Sequence, residues 1–232
     1  MNITGKTIII SGASDGIGKS TALSLAKNNL NLILLGRDQA KLDQVKSICE
    51  SNGSTVKTYA FDITDNVVLD KVAESIKHDG SVDIIINNAG IWHNSITLGN
   101  LDVNVIESVI ATNLTSHMLL TRQFIDSMKD RETAIINIVS SAGMQGKAGR
   151  TAYAASKFGI RGFTEALRDE THSNIIRIGA VFQSGTNTQM FKKADEDMQL
   201  DKYTNPDDLA QVIEFMLTRP PKLWLNEVHV TY

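Results

Sequence analysis

Lys6-Thr7-Ile8-Ile9-Ile10-Ser11-Gly12-Ala13-Ser14-Asp15-Gly16-Ile17-Gly18 joins an apolar, β-branched run to a glycine-rich turn, and a segment of helical period follows at once. A nearly continuous apolar run suits a strand covered on both faces in a parallel sheet. The glycines allow a tight turn, close approach of backbone to a pyrophosphate, and close packing of helix on strand. A helix that starts there turns its free N–H groups and positive dipole end toward phosphate. Gly12, Ser14, Asp15, Gly16, Ile17 and Gly18 are therefore the candidate phosphate loop. Three glycines after a strand also fit a purely structural turn.

The same alternation continues along the chain. Lys6–Ser11, Asn31–Leu35, Thr55–Phe61, Val82–Asn87, Thr133–Val139, Ile175–Phe182 and Glu227–Thr231 read as strands. Gly16–Asn28, Asp38–Ser51, Val67–His78, Leu101–Lys129, Thr151–Thr171 and Pro206–Thr218 read as helices between them. This pattern predicts an α/β fold: a single-domain, Rossmann-type, doubly wound parallel sheet of about seven strands with helices on both faces. The three prolines all fall after residue 205, so no proline-rich linker divides the chain, and residues 1–232 read as one domain. The charged segment Gln189–Tyr203 is read either as a flap over the carboxyl ends of the strands or as an exposed surface helix.

Composition excludes several function classes. At 232 residues, 42% hydrophobic and 21% charged, the chain matches ordinary globular proteins. A formal net charge of -3 without basic clusters argues against a nucleic-acid surface. Cys49 is the lone cysteine, which rules out an internal disulfide and a thiol-held metal. His78, His93, His117, His172 and His229 are scattered and read as surface or loop residues rather than ligands. Neither a signal peptide nor an apolar run of membrane-spanning length is present, so a cytoplasmic location is expected.

The second strand ends in Leu34-Leu35-Gly36-Arg37-Asp38. A carboxylate here would hold the ribose 2′-hydroxyl of NAD, whereas an arginine accommodates the 2′-phosphate of NADP. Gly36 stands where the carboxylate belongs and Arg37 follows, which favours NADP(H) over NAD(H). Asp38 reads as the cap of the next helix. Asp15 works against an extra phosphate.

Tyr153 and Lys157 lie four apart, on one face of a helix. A phenol titrates near ~10 in water, and an adjacent ammonium favours the phenolate and lowers that value. Ser140 lies thirteen residues earlier, at the carboxyl end of the fifth strand, where such sheets keep their ligand sites. Asn113 sits within the preceding helical segment.

Together the glycine motif, Asp62, Asn87-Asn88-Ala89-Gly90, Asn113, Ser140, Tyr153 and Lys157 resemble the short-chain dehydrogenase/reductase family in order and spacing, from about Lys6 to the carboxyl terminus. The resemblance implies hydride transfer between a nicotinamide cofactor and a carbonyl or alcohol. It implies Tyr153 as general acid/base and Ser140 as hydrogen-bond partner of the substrate oxygen. Lys157 would hold the nicotinamide ribose and lower the tyrosine pKa, and Asn113 would fix a water that relays protons. Asp62 and Ile63 would contact the adenine; Asn88, Ala89 and Gly90 would lie against the ribose, while Asn87 contacts the cofactor or braces the sheet. A homodimer or homotetramer is also implied, with helices pairing through the stripe Ala155, Phe158, Gly162 and Ala166, unless that stripe faces the protein's own sheet.

One position departs from the family pattern. Its usual Pro-Gly after the sixth strand is Gln183-Ser184 here, although Thr188 stands where the family's carboxamide-binding threonine falls. The departure gives some support to an alternative function, a catalytically weak nucleotide-binding regulator or scaffold. The expected substrate walls are Ile91-Trp92-His93, Met144-Gln145-Gly146, Met190 and Phe191, without an arginine pair to clamp a diacid or phosphate. The substrate is expected to be a small carbonyl or alcohol, with no nucleic acid or membrane as partner.

Overall fold

The computed structural model describes residues 1–171, 175–194, 196, 199–220 and 222–231. The strands are β1 (Thr7–Ser11), β2 (Asn31–Gly36), β3 (Thr55–Ala60), β4 (Ile84–Asn87), β5 (Thr133–Ile138), β6 (Ile176–Gln183) and β7 (Glu227–Val230). They form one parallel sheet in the order β3-β2-β1-β4-β5-β6-β7, the doubly wound arrangement that the alternating elements predict. The strand order reverses between β1 and β4, and a crevice opens there at the carboxyl ends.

The main helices are α1 (Gly16–Leu25), α2 (Gln39–Ser51), α3 (Asn66–Asp79), α4 (Val103–Ile110), α5 (Ser116–Phe124), α6 (Thr151–Glu170) and α7 (Pro206–Leu217). Alternate strand residues face opposite layers. Ile8 and Ile10 pack with Ala22, Leu42 and Ile213 of α1, α2 and α7, whereas Ile9 and Ile85 pack with Leu69, Leu120 and Leu167 of α3, α5 and α6. Short oxygen acceptors start the helices: Asp38 accepts from Lys41 N at 3.1 Å and Asp65 from the N–H groups of Val67 and Val68.

The segment expected as one helix, Leu101–Lys129, is interrupted. A π-turn at Ala111–Thr115 separates α4 from α5, and a 3₁₀ turn at Ile125–Met128 follows. The widened turn turns Asn113 inward. Its Oδ1 accepts from Ile91 N at 2.7 Å, and its Nδ2 donates to Ile91 O at 2.9 Å and Ser156 Oγ at 3.2 Å. Buried amide bonds of this kind offset the cost of the irregular turn, which recurs at functional sites.

Asn87 braces the sheet. Its Nδ2 donates to Thr121 Oγ1 and Asn137 Oδ1, and Asn137 Nδ2 in turn donates to Thr164 Oγ1, all within 2.9 Å. His93 and His117 are buried, contrary to the sequence expectation, while His78 and His229 are exposed and His172 lies outside the described residues. On α6, Ala155, Phe158, Gly162 and Ala166 all face outward, so the reading that this stripe packs on the protein's own sheet is overturned. Within Gln189–Tyr203 the described residues form two 3₁₀ turns, Lys192–Ala194 and Leu200–Lys202, rather than one surface helix. Among the described residues no helix is long and apolar enough to cross a membrane.

Candidate functional site

The glycine loop closes tightly on β4. Gly12 has φ +66°, and a Cβ there would sit 2.9 Å from Ala89 Cα; one on Gly18 would sit 2.3 Å from Gly12 O. The backbone of strand, loop and helix is thus packed as closely as it can be, which leaves the start of α1 open to a phosphate. Ser11, which sequence reading passed over, ties the two sides together. Its Oγ accepts from the N–H groups of Asn88 and Ala89 at 2.9 and 3.0 Å, and Asn88 Nδ2 donates to Ser11 O at 2.9 Å.

Gly12, Ser14, Asp15, Gly16 and Ile17 line a cavity of about 510 Å³, and Arg37, Asp62, Ile63, Asn88, Ala89, Gly90 and Thr188 continue its wall. Gly18 lies behind it as packing. Thr188 touches the loop, since a Cβ on Gly16 would stand 3.0 Å from Thr188 Cγ2. Asp62 accepts from Thr64 N and Oγ1 at 2.9 and 2.7 Å. Partial burial opposes its ionisation, yet those bonds and the Arg37 charge hold the carboxyl below its usual range.

A recess beside Arg37 gathers charges that the sequence did not bring together. It is lined by Ser14, Arg37, Asp38, Gln39, Lys41 and Lys193. Asp15 Oδ2 lies 3.0 Å from Lys193 Nζ and 4.0 Å from Lys41 Nζ, and Oδ1 caps Gly16 N at 2.8 Å. Although burial opposes it, this pairing keeps Asp15 below the ordinary carboxylate range. The repulsion expected from Asp15 is therefore offset by two cations. Lys41 stands one helical turn past Arg37, a signal that was readable; Lys193 is 178 residues from Asp15 and was not. A Cβ at Gly36 would stand 3.2 Å from Ser14 Oγ, a tight contact that Ser14 would have to relieve.

Ser140, Tyr153 and Lys157 line the other end of the same cavity. The Ser140 hydroxyl is near enough to Tyr153 to draw its pKa down. Lys157 Nζ stands 5.7 Å from the Tyr153 ring centre and donates to Ile138 O at 3.1 Å. Burial dominates both groups: it pushes the phenol up to about 12 and the ammonium down to about 8. The expected lowering of the tyrosine by Lys157 is corrected: Ser140 and Arg150 pull against the burial effect, which exceeds both. A phenol so placed keeps its proton at neutral pH.

Asn113 does not line the cavity; it holds the Ile91 backbone just behind it. His117 does similar work. Its Nε2 meets Ala89 O at 2.6 Å, and burial together with the nearby Lys157 charge lowers its pKa to about 3, so it remains neutral.

The walls at the Tyr153 end only partly match expectation. Ile91, Trp92, Met190 and Phe191 line the cavity, but His93, Met144, Gln145 and Gly146 do not. His93 turns inward, where its Nε2 accepts from Tyr153 N at 3.4 Å, and Met144 faces outward. Lys147 and Arg150 take the vacated wall, so cations are present where none were expected. Gln183 and Ser184 also line the cavity. Gln183 Oε1 accepts from Thr186 Oγ1 at 3.0 Å, while the buried Ser184 Oγ has no partner. The close-packed glycine loop, the cationic recess and this spare hydroxyl suit a phosphorylated dinucleotide with an amide-bearing ring.

Known proteins share both sequence and architecture with this chain. The family model described as short chain dehydrogenase matches residues 6–199. A 3-oxoacyl-(acyl-carrier-protein) reductase of Thermotoga maritima is 31% identical over 226 residues, covering 93% of this chain and 92% of its own. An NADP-dependent 3-hydroxy acid dehydrogenase of Schizosaccharomyces pombe is 33% identical over 229 residues, 94% of this chain and 88% of its own. A metagenomic short-chain oxidoreductase solved in complex with NADP superposes with a TM-score of 0.87 at 26% identity, over 100% of both chains. With its parallel sheet, glycine loop and Ser140–Tyr153–Lys157 set, this chain belongs to the short-chain dehydrogenase/reductase family of oxidoreductases.

Proposed function

We infer that this protein is an NADPH-dependent carbonyl reductase with Tyr153 as its general acid. The observation that carries this reading is that Ser140, Tyr153 and Lys157 line one cavity with the glycine loop. Bound NADPH would supply the hydride. Ser140 would donate a hydrogen bond to the substrate carbonyl, and the phenol, kept protonated by burial, would give its proton to the developing alkoxide. Lys157, one turn along α6, would bind the nicotinamide ribose hydroxyls. Asn113 and His117 hold the Ile91 and Ala89 backbone in register beside it. A nucleotide-binding scaffold would have no use for a buried phenol that shares the cavity with Ser140 and Lys157. NADPH oxidation assayed against ketones, oxo acids, oxoacyl thioesters, quinones and sugars tests the reading, and it fails if none is reduced.

NADPH should bind about ten- to a hundredfold more tightly than NADH, because Arg37 would hold the 2′-phosphate in a recess where Lys41 and Lys193 already balance Asp15. Arg37→Ala should weaken NADPH about tenfold and affect NADH little. Calorimetric titration of each cofactor checks this. Equal affinities in the native protein would refute the assignment.

The outward stripe on α6 supports a homodimer or homotetramer. A Cβ on Gly162 would meet no atom within 4 Å, and Phe158 and Met118 are 44% exposed. Apolar, small-residue faces of this kind let helices of two subunits approach closely. Light scattering at micromolar concentration should give a multiple of 25.4 kDa; the monomer mass would exclude the pairing.

A further inference from the structure

Lys147 and Arg150 stand on the loop between β5 and α6, at the Tyr153 end of the cavity. Arg150 is half-buried, and its guanidinium lies 4.9 Å from the centre of the Trp92 ring. The Trp92 ring in turn meets Tyr153 edge-on at 4.5 Å and Phe191 at 5.4 Å. The indole N–H donates to Glu196 Oε2. Among the described residues no carboxylate forms an ion pair with Arg150 or Lys147. Among the described residues, the acids that line the cavity, Asp15 and Asp62, both stand at the opposite, glycine-loop end.

The loop is fixed in place. Ile96 N donates to Gly149 O at 3.1 Å, and a Cβ on Gly149 would sit 2.5 Å from Ser95 Oγ. Stacking on the indole restricts the guanidinium and leaves its edge N–H groups open to a planar anion. The Arg150 charge reaches the reacting phenol, which it helps to pull down.

The geometry points to a carbonyl substrate that carries a carboxylate: a short oxo acid whose carboxylate is held by Arg150, while its carbonyl lies against Ser140 and Tyr153. This rests on the carbonyl-reductase reading above and narrows it to a substrate class. Arg150 and Tyr153 flank one indole ring, so the carboxylate and carbonyl belong to one small molecule rather than to the two ends of a long acyl chain. A guanidinium forks onto a carboxylate through two parallel bonds, so Arg150 sets the choice and the exposed Lys147 adds a diffuse positive field.

The test compares 3-oxobutanoate and 4-oxopentanoate, each against its methyl ester, with NADPH and the full-length protein. The acid-to-ester ratio of kcat/KM should be about ten to a hundred in the native protein and fall to near one in Arg150→Gln. Arg150→Lys should keep only part of it, since charge remains but the fork is lost. A native ratio near one, or a ratio that survives Arg150→Gln, overturns the proposal. So does a preference for hydroxyacetone phosphate over both acids, which would make the site a phosphate site. Calorimetry on the NADPH complex of Tyr153→Phe decides the question without turnover: the acid should bind at least about tenfold more tightly than its ester. If no carbonyl compound oxidises NADPH but this difference in binding holds, the reductase reading fails and the carboxylate site stands.

Discussion

Tyr153→Phe should lower kcat by about a thousandfold while NADPH affinity stays within about twofold. General-acid donation contributes roughly 10²–10⁴ to such steps, and Tyr153 is the buried phenol proposed as donor in this cavity. The ring itself remains, so its edge contact with Trp92 and the packing of α6 are retained. Single-turnover kinetics with saturating NADPH, alongside calorimetric titration of the cofactor, separate the two quantities. A variant that keeps most of its kcat would show that the proton comes from another group.

Lys157→Met should separate function from stability more sharply. Turnover should fall at least about a hundredfold, and NADPH should bind more weakly, because the ammonium that would hold the nicotinamide ribose is gone. The folded protein should nevertheless become more stable at neutral pH. Lys157 is buried, and burial lowers its pKa from 10.5 to about 8, so carrying its charge costs the native state free energy. The unfolded chain keeps that proton up to its own higher pKa, and stability therefore rises with pH between the two values. The deficit is full below pH 8 and fades as pH approaches 10.5. Methionine of similar length removes it, at the expense of the bond to Ile138 O. Denaturant unfolding of both proteins at pH 7 and pH 10 checks the sign: the variant's advantage should be present at the first and much reduced at the second. A variant less stable than the native protein at pH 7 would mean that the bond to Ile138 outweighs the burial of the charge.

The sequence by itself determined the architecture and the identity of the central residues. Ile8–Ile10, Ile33–Leu35 and Ile84–Ile86 are apolar on both faces, so each required a covered parallel strand, and alternation with helices required a doubly wound sheet, whose strand order the structure supplies. The glycine turn and the four-residue spacing of Tyr153 and Lys157 are local relations, fixed by backbone geometry before any tertiary contact forms. Strand ends shifted by only a residue or two.

Only the tertiary structure decided the electrostatics and the substrate walls, because these depend on which loops meet at the strand ends. The sequence reading took the Lys157 charge as the dominant influence on Tyr153, but desolvation belongs to the surroundings of a group, and here it outweighs every nearby charge. The π-turn that aims Asn113 at Ile91 has the same apolar periodicity as an ordinary helix and left no mark in the pattern. Lys193 reaches Asp15 across 178 residues, and Arg150 meets Trp92 from a different loop. Such pairs are set by the closure of long loops, whose entropic cost is met by the packed sheet beneath them, and no spacing along the chain records them.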